Sequence, residues 1–211
     1  YQLLPGHYLI VKRQEKISQK RWWSIEDCHP EIPKSFNEQC EKFYEIFRDA
    51  CRIRLVSDVP IATALSGGLD STAVYSTVYD IIQKESLGRV NEDAQRAFTA
   101  TFKGLPNDER EYAQIAANYT GGPITFLETN DVDLAARIER DTELCDFINI
   151  SPISSIASVY EGMRKNGVVV SLDGHGVDEM LYGYRDMIYG LYNDALWYGK
   201  NSQALDYRDI L

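Results

Sequence analysis

The sequence predicts an α/β domain built on a parallel sheet of four or five strands flanked by helices. Three observations predict it. Apolar runs at 60–65, 98–102, 123–127 and 168–172 each have the length of a short buried strand. Helical periodicity fills the intervals between them, and alternating strands and helices imply right-handed crossovers and a parallel sheet. The first and last of these runs lead into glycine-rich turns, which such sheets gather along one ligand-binding edge.

With 211 residues the chain can form one full domain of this kind, or one domain and a fragment of another. Hydrophobic residues make up 44% and charged residues 26%, the balance of a soluble globular protein. No run of about 18 apolar residues occurs, so no spanning helix is expected. The start, YQLLPGHYLI, lacks the basic region of a signal peptide, and a cytoplasmic location is expected. It also lacks an initiator Met, which reads as an excised piece of a longer protein.

Lys and Arg total 22 against 32 Asp and Glu, a net charge of −10. That balance argues against a nucleic-acid surface, which needs clustered cations. It leaves room for a small anion held by backbone N–H groups. Cys28, Cys40, Cys51 and Cys145 form no CxxC pair and read as reduced thiols, mostly packing. His7, His29 and His175 are too scattered for a zinc site.

Taken in order, residues 7–12 and 19–23 predict a small hairpin, too small to fold alone. Residues 24–35, with Pro30 and Pro33, predict a linker. Phe36, Cys40, Phe43, Phe47, Cys51 and Leu55 then recur at helical spacing, predicting an amphipathic helix to about Val56. After the strand at 60–65 come a helix over about 70–85, a polar stretch at 84–93, and the strand at 98–102. Helices follow at about 108–119, 131–145 and 154–165, with the third strand at 123–127 between the first two. The Tyr-rich segment 185–211 reads as helical, without a legible role.

Leu65-Ser66-Gly67-Gly68-Leu69-Asp70-Ser71 is the strongest chemical signal. It ends a strand and opens a helix. Its glycines let the backbone turn sharply and approach a ligand, and the helix N-terminus offers free N–H groups to a phosphate. Ser66 and Ser71 add hydroxyls, while Asp70 next to a phosphate implies an intervening Mg²⁺. Serine and aspartate also cap helices without any ligand. Here loop, serines and acid coincide at one strand end. The Walker pattern GxxxxGK[ST] is absent. The loop instead resembles the SGGxDS loop of the ATP pyrophosphatases, which implies an adenine nucleotide alpha-hydrolase-like fold and cleavage of ATP to an adenylate and pyrophosphate.

The second signal follows the fourth strand: Leu172-Asp173-Gly174-His175-Gly176-Val177-Asp178-Glu179, continuing to Tyr184. Loops after parallel strands share one edge, so Asp70 and Asp178 are placed to share a metal ion. Together SGGLDS and GHGVDEMLYGY resemble the synthetase domain of glutamine-hydrolysing asparagine synthetases. LPGHYLIV with the later RWW, SDVPIATALSGG and DEREYAQIAANYTG extend the resemblance along most of the chain.

The resemblance implies that Ser66, Gly67, Gly68, Asp70 and Ser71 bind the phosphates, and that Leu65 and Ala100 give backbone contacts to adenosine. It places Asp173 and Gly174 close to the nucleotide and Mg²⁺ on Asp70 and Asp178. It further implies residues 1–35 as the end of an amidotransferase domain plus linker, and 36–211 as a C-terminally incomplete synthetase domain. The expected activity is ATP-dependent amidotransfer to a carboxylate, with asparagine synthesis from aspartate the leading reading, ammonia from a glutaminase domain and a homodimer as an open option. The family's N-terminal nucleophilic Cys has no counterpart at Tyr1, and its downstream catalytic Lys would fall beyond Leu211.

Two departures bear on the acceptor. His175 stands where the family usually has Glu, and no Arg lies between Arg140 and Arg164, where aspartate-using members often supply one. A neutral His175 would accept a proton from the incoming amine. Both departures favour a relative that amidates a sugar acid or closes a lactam or peptide ring. A tRNA-modifying pyrophosphatase is disfavoured by the acidic charge and the lack of Cys near the loops. A degenerate homologue is disfavoured by the intact Asp70 and Asp178.

Overall fold

The computed structural model of the chain describes residues 2–13, 17–85, 95–128, 134–146 and 154–211. They fall into two compact units, Tyr1–Ile46 and Phe47–Leu211.

The first unit holds the hairpin, β1 (His7–Ile10) paired antiparallel with β2 (Ser18–Arg21), and the start of α1 (Phe36–Arg54). A short 3-10 turn at Ile25–Asp27 interrupts the predicted linker. Ser35 and Glu38 start α1 reciprocally: the Glu38 N–H donates to the Ser35 hydroxyl, and the Ser35 N–H donates back to the Glu38 carboxylate. The apolar stripe expected along this helix is only half realised. Phe36 and Phe43 are exposed at 77% and 48%, whereas Cys51 and Leu55 are buried. Cys28, Cys40 and Cys145 are exposed as well, so of the four thiols only Cys51 packs in a core.

In the second unit four strands form one parallel sheet. They are β3 (Ile61–Ala64), β4 (Arg96–Thr101), β5 (Ile124–Glu128) and β6 (Val170–Ser171), in the spatial order β5-β4-β3-β6. The register aligns Ala64 with Phe98 and Ala62 with Ser171. The interleaving helices are α2 (Leu69–Lys84), α3 (Arg110–Thr120), α4 (Leu134–Cys145) and α5 (Ser154–Lys165). After β6 come α6 (Val177–Leu181), α7 (Arg185–Trp197) and α8 (Asn201–Ile210). The expected helical segment begins at 131, but residues 131–133 lie outside the described residues, as does most of the polar stretch at 84–93.

Side-chain alternation sends successive strand residues to opposite faces, so both faces of the sheet need a cover. On one face Ile61 packs with Cys51, Leu55, Val74 and Val78, and Ala97 packs with Tyr75 and Ala113, so α1, α2 and α3 lie there. On the other, Ala62 and Phe98 pack with Val159 and Met163 of α5. Burial of these side chains supplies the main stabilisation, at about 25 cal/mol per Å² of apolar surface removed from water.

The strand order fixes where a ligand can sit. From β3 the chain steps outward through β4 to β5, then returns to β6 on the other side of β3. That reversal creates a topological switch point, where loops leaving neighbouring strands part and open a crevice at the carboxyl ends. The loops leaving β3 and β6 are the two glycine-rich motifs.

Candidate active site

The first loop is held by its own side chains. The hydroxyls of Ser66 and Ser71 lie 2.9 Å apart, and the Ser66 N–H donates to the Ser71 hydroxyl at 3.2 Å. The Gly68 N–H donates to the Ser66 hydroxyl at 3.1 Å. Leu65, ahead of them, is pinned from both sides: its N–H donates to the Phe98 carbonyl at 2.9 Å, and its carbonyl accepts from the Thr99 hydroxyl at 2.6 Å. Gly67 turns the chain at φ +80°, and a Cβ there would meet the Ala113 backbone nitrogen at 2.5 Å. Only glycine satisfies both demands.

The second loop meets the first at Gly174. A Cβ on Gly174 would come within 2.7 Å of both the Asp70 carbonyl carbon and the Ser71 nitrogen. Asp173 makes a second tie, since its Oδ1 accepts from the Ala64 N–H at 2.8 Å and from the Ser171 hydroxyl. Its Oδ2 accepts from the Tyr160 hydroxyl of α5 at 2.8 Å and lies 3.8 Å from Nδ1 of His175. Burial first, and Asp173 second, push the Tyr160 phenol up to about 12.

Together the loops line a cavity of about 360 Å³. Ser66, Asp70 and Ser71 enter it from the first loop, and Asp173, Gly174, His175 and Asp178 from the second. Leu65 and Ala100 line it from the sheet. Gly67 and Gly68 do not. They face a second cleft on the far side of the loop, against Asn107, Glu109 and Tyr112.

Asp70 and Asp178 share the cavity with Tyr184, whose phenol is raised chiefly by its hydrogen bond to Glu179 and further by the charges of Asp178 and Asp70. The described lining carries five carboxylates, on Asp70, Glu109, Asp173, Asp178 and Glu179, and no Lys or Arg. A polyphosphate in such a cavity needs accompanying cations. Mg²⁺ binds through one or two carboxylates plus phosphate oxygens and waters, and Asp70 with Asp178 fits that habit. Among the described residues no group of three or more His, Cys, Asp or Glu is placed to hold a metal ion.

Glu109 and Tyr160 are among the cavity residues to which the sequence motifs assign no role. Glu109 lines both the cavity and the second cleft, and burial together with Asp108 raises its carboxyl above the ordinary value. It sits in the loop leaving β4, on the same strand-end edge, which was the available signal. Tyr160 carried none, because only packing of α5 on the sheet brings it to Asp173. Arg137 and Arg140 pair with Glu161 between α4 and α5, and neither lines the cavity.

A parallel sheet with SGGLDS after β3 and a second glycine loop after β6, across the switch point, is the arrangement of an adenine nucleotide alpha-hydrolase-like fold. The chain belongs to the asparagine synthase family, whose model matches residues 42–205. It is 31% identical over 193 residues to amidase chry2 of Gibberella zeae and, equally, to amidase chyE of Penicillium rubens, in each case 87% of this chain and 29% of that protein. It is 27% identical to asparagine synthetase [glutamine-hydrolyzing] 3 of Bacillus subtilis over 87% of this chain and 30% of that one. The chain thus spans about three tenths of the length of these curated relatives. Among solved structures, the NH3-dependent NAD synthetase of Campylobacter jejuni, in complex with the nitrate ion, aligns with a TM-score of 0.42 and 15% identity, over 68% of this chain and 60% of that one. No helix among the described residues is long and apolar enough to cross a membrane.

Proposed function

We propose that this chain is the ATP-using part of a ligase that activates a carboxylate as its adenylate and passes the acyl group to an amine or ammonia. The observation that carries the reading is the backbone contact of Gly174 with Asp70 and Ser71, which joins the phosphate-type loop and the His175 loop around one cavity.

In this reading the Ser66–Ser71 loop and the N-terminus of α2 hold the phosphates that leave. Ser66 and Ser71 orient them, Gly67 and Gly68 shape the turn that presents these serines, and Leu65 and Ala100 border the adenosine beside Asp173 and Gly174. Asp70 and Asp178 would hold Mg²⁺, whose charge would offset that gathering on the leaving pyrophosphate. That role makes Asp178 part of the chemistry.

The acceptor carboxylate oxygen forms a bond to the α-phosphorus. The α-phosphorus–oxygen bond to pyrophosphate breaks, and pyrophosphate leaves with the electron pair. The amine nitrogen then bonds to the acyl carbon, AMP leaves with the electrons of the broken carbon–oxygen bond, and His175 takes the amine's proton. Base catalysis of this kind is typically worth about 10²–10⁴-fold in rate.

Asparagine synthesis is the family's reference activity, with glutamine-derived ammonia as nucleophile. His175 in place of the family's usual Glu, and a sequence without Arg between Arg140 and Arg164, favour an acceptor other than aspartate. A sugar acid, or a chain that closes on its own amine, meets that condition.

The test is the nucleotide product. The full-length protein, incubated with ATP, Mg²⁺, ammonia and a panel of carboxylic acids including aspartate, is expected to release AMP and pyrophosphate with at least one acid. ADP and phosphate as the only products would exclude adenylation.

A further inference from the structure

Asp173 is the most heavily engaged carboxylate around the cavity, and its engagement is directional. Its side chain is 10% exposed, whereas that of His175 is 65% exposed. Oδ1 is fixed by the Ala64 N–H and the Ser171 hydroxyl, one at the end of β3 and the other in β6. Oδ2 is fixed by the Tyr160 hydroxyl from α5. Three donors from three elements leave the carboxylate no rotation. Its remaining acceptor capacity, at Oδ2, faces Nδ1 of His175 at 3.8 Å.

We infer that Asp173, braced by Tyr160, is a positioning residue for His175: it fixes the neutral imidazole as the Nδ1–H tautomer and leaves Nε2 as the proton acceptor.

The physical reason is the sign of the contact. A neutral imidazole carries one proton. With that proton on Nδ1, an N–H points toward a carboxylate oxygen. With it on Nε2, the Nδ1 lone pair would face the carboxylate and repel it. The gap of 3.8 Å exceeds a hydrogen bond, and such contacts often tighten only when substrate is bound. Tyr160 keeps its proton over the whole working range because its phenol is raised to about 12, so it remains a donor and Oδ2 cannot swing away. Asp70, Asp178, Glu179 and Tyr184 also line the cavity, but it is the Asp173 carboxylate that lies nearest Nδ1, at 3.8 Å.

The consequence for rate rests on the amide-forming function proposed above, whereas the tautomer does not. The decisive measurement is therefore spectroscopic. Long-range ¹H–¹⁵N correlation on the histidine-labelled chain, at about two pH units above the ordinary His pKa of about 6.5, reads the tautomer directly. His175→Ala assigns the resonances among the three histidines. The expected spectrum has Nδ1 protonated and Nε2 bare. Asp173→Asn, which keeps an oxygen for the Ala64 N–H, is expected to shift the population toward Nε2–H. A wild-type spectrum dominated by Nε2–H would overturn the proposal without any variant having to fold. So would a folded Asp173→Asn protein with an unchanged spectrum.

In the amide-forming assay Asp173→Asn is expected to slow the rate by about 10- to 100-fold, a share of what the base supplies. The double variant with His175→Ala should be no slower than His175→Ala alone, whereas a purely structural Asp173 would slow it further. If His175→Ala keeps the full rate, the base role in the proposed function fails, and the tautomer still decides the role of Asp173.

Discussion

Gly174 lies against Asp70 with no room for a side chain: a Cβ placed on it would be 2.9 Å from the Asp70 Cβ and 2.7 Å from the Asp70 carbonyl carbon. Two loops separated by about a hundred residues of sequence therefore touch backbone to backbone. Relief of that contact by a flexible side chain is impossible, because the nearest atoms belong to the main chain and a Cβ.

Gly174→Ala should consequently push the loops apart. Overpacking of this sort typically costs about 1–3 kcal/mol. Urea denaturation should show a loss in that range, accompanied by weakened ATP binding. Gly190→Ala is the control. Gly190 lies within α7, a Cβ there meets nothing within 4 Å, and the change should stabilise by about 0.5–1 kcal/mol. Equal effects of the two substitutions would contradict the loop contact.

Tyr160 gives a prediction in pH. Its folded-state pKa, about 12, lies above the ordinary 10.0. A group raised on folding contributes stability that is complete below its unfolded pKa and disappears as pH rises through the folded one. The stability difference between wild type and Tyr160→Phe should thus be constant up to about pH 9 and shrink between pH 10 and 12. A difference that stays flat across that window would contradict the burial and hydrogen bonding assigned to this phenol.

His175 separates chemistry from nucleotide binding. His175→Ala and His175→Glu are both expected to lower the amide-forming rate, by up to the 10²–10⁴-fold of a general base, with ATP affinity little changed. Full rates for both variants across pH 6–8 would reduce His175 to a turn former.

Much of this was legible in the sequence, and the parts that were not share a cause. The strands expected at 60–65, 98–102 and 123–127 correspond to Ile61–Ala64, Arg96–Thr101 and Ile124–Glu128, because a buried parallel strand writes itself as a local apolar run. The run at 168–172 pairs over only Val170–Ser171. Strand order was not legible, since pairing of β3 with both β4 and β6 depends on distant residues. The stripe from Phe36 to Leu55 showed a helix but could not show which half would be buried. Likewise SGGLDS announces itself locally, whereas the Tyr160–Asp173 bond joins α5 to a loop and exists only once α5 has docked on the sheet. The segment 185–211 resolves into two helices, α7 and α8, with Trp197 85% exposed.

Asp70 is expected to help hold a magnesium–nucleotide complex at the Ser66–Ser71 loop. Isothermal titration of ATP into the chain, with and without Mg²⁺, tests it most directly. The wild type should bind ATP in a Mg²⁺-dependent manner, and Asp70→Ala, shown by circular dichroism to be folded, should lose that binding. Unchanged Mg²⁺-dependent affinity in the folded Asp70→Ala protein would contradict the account.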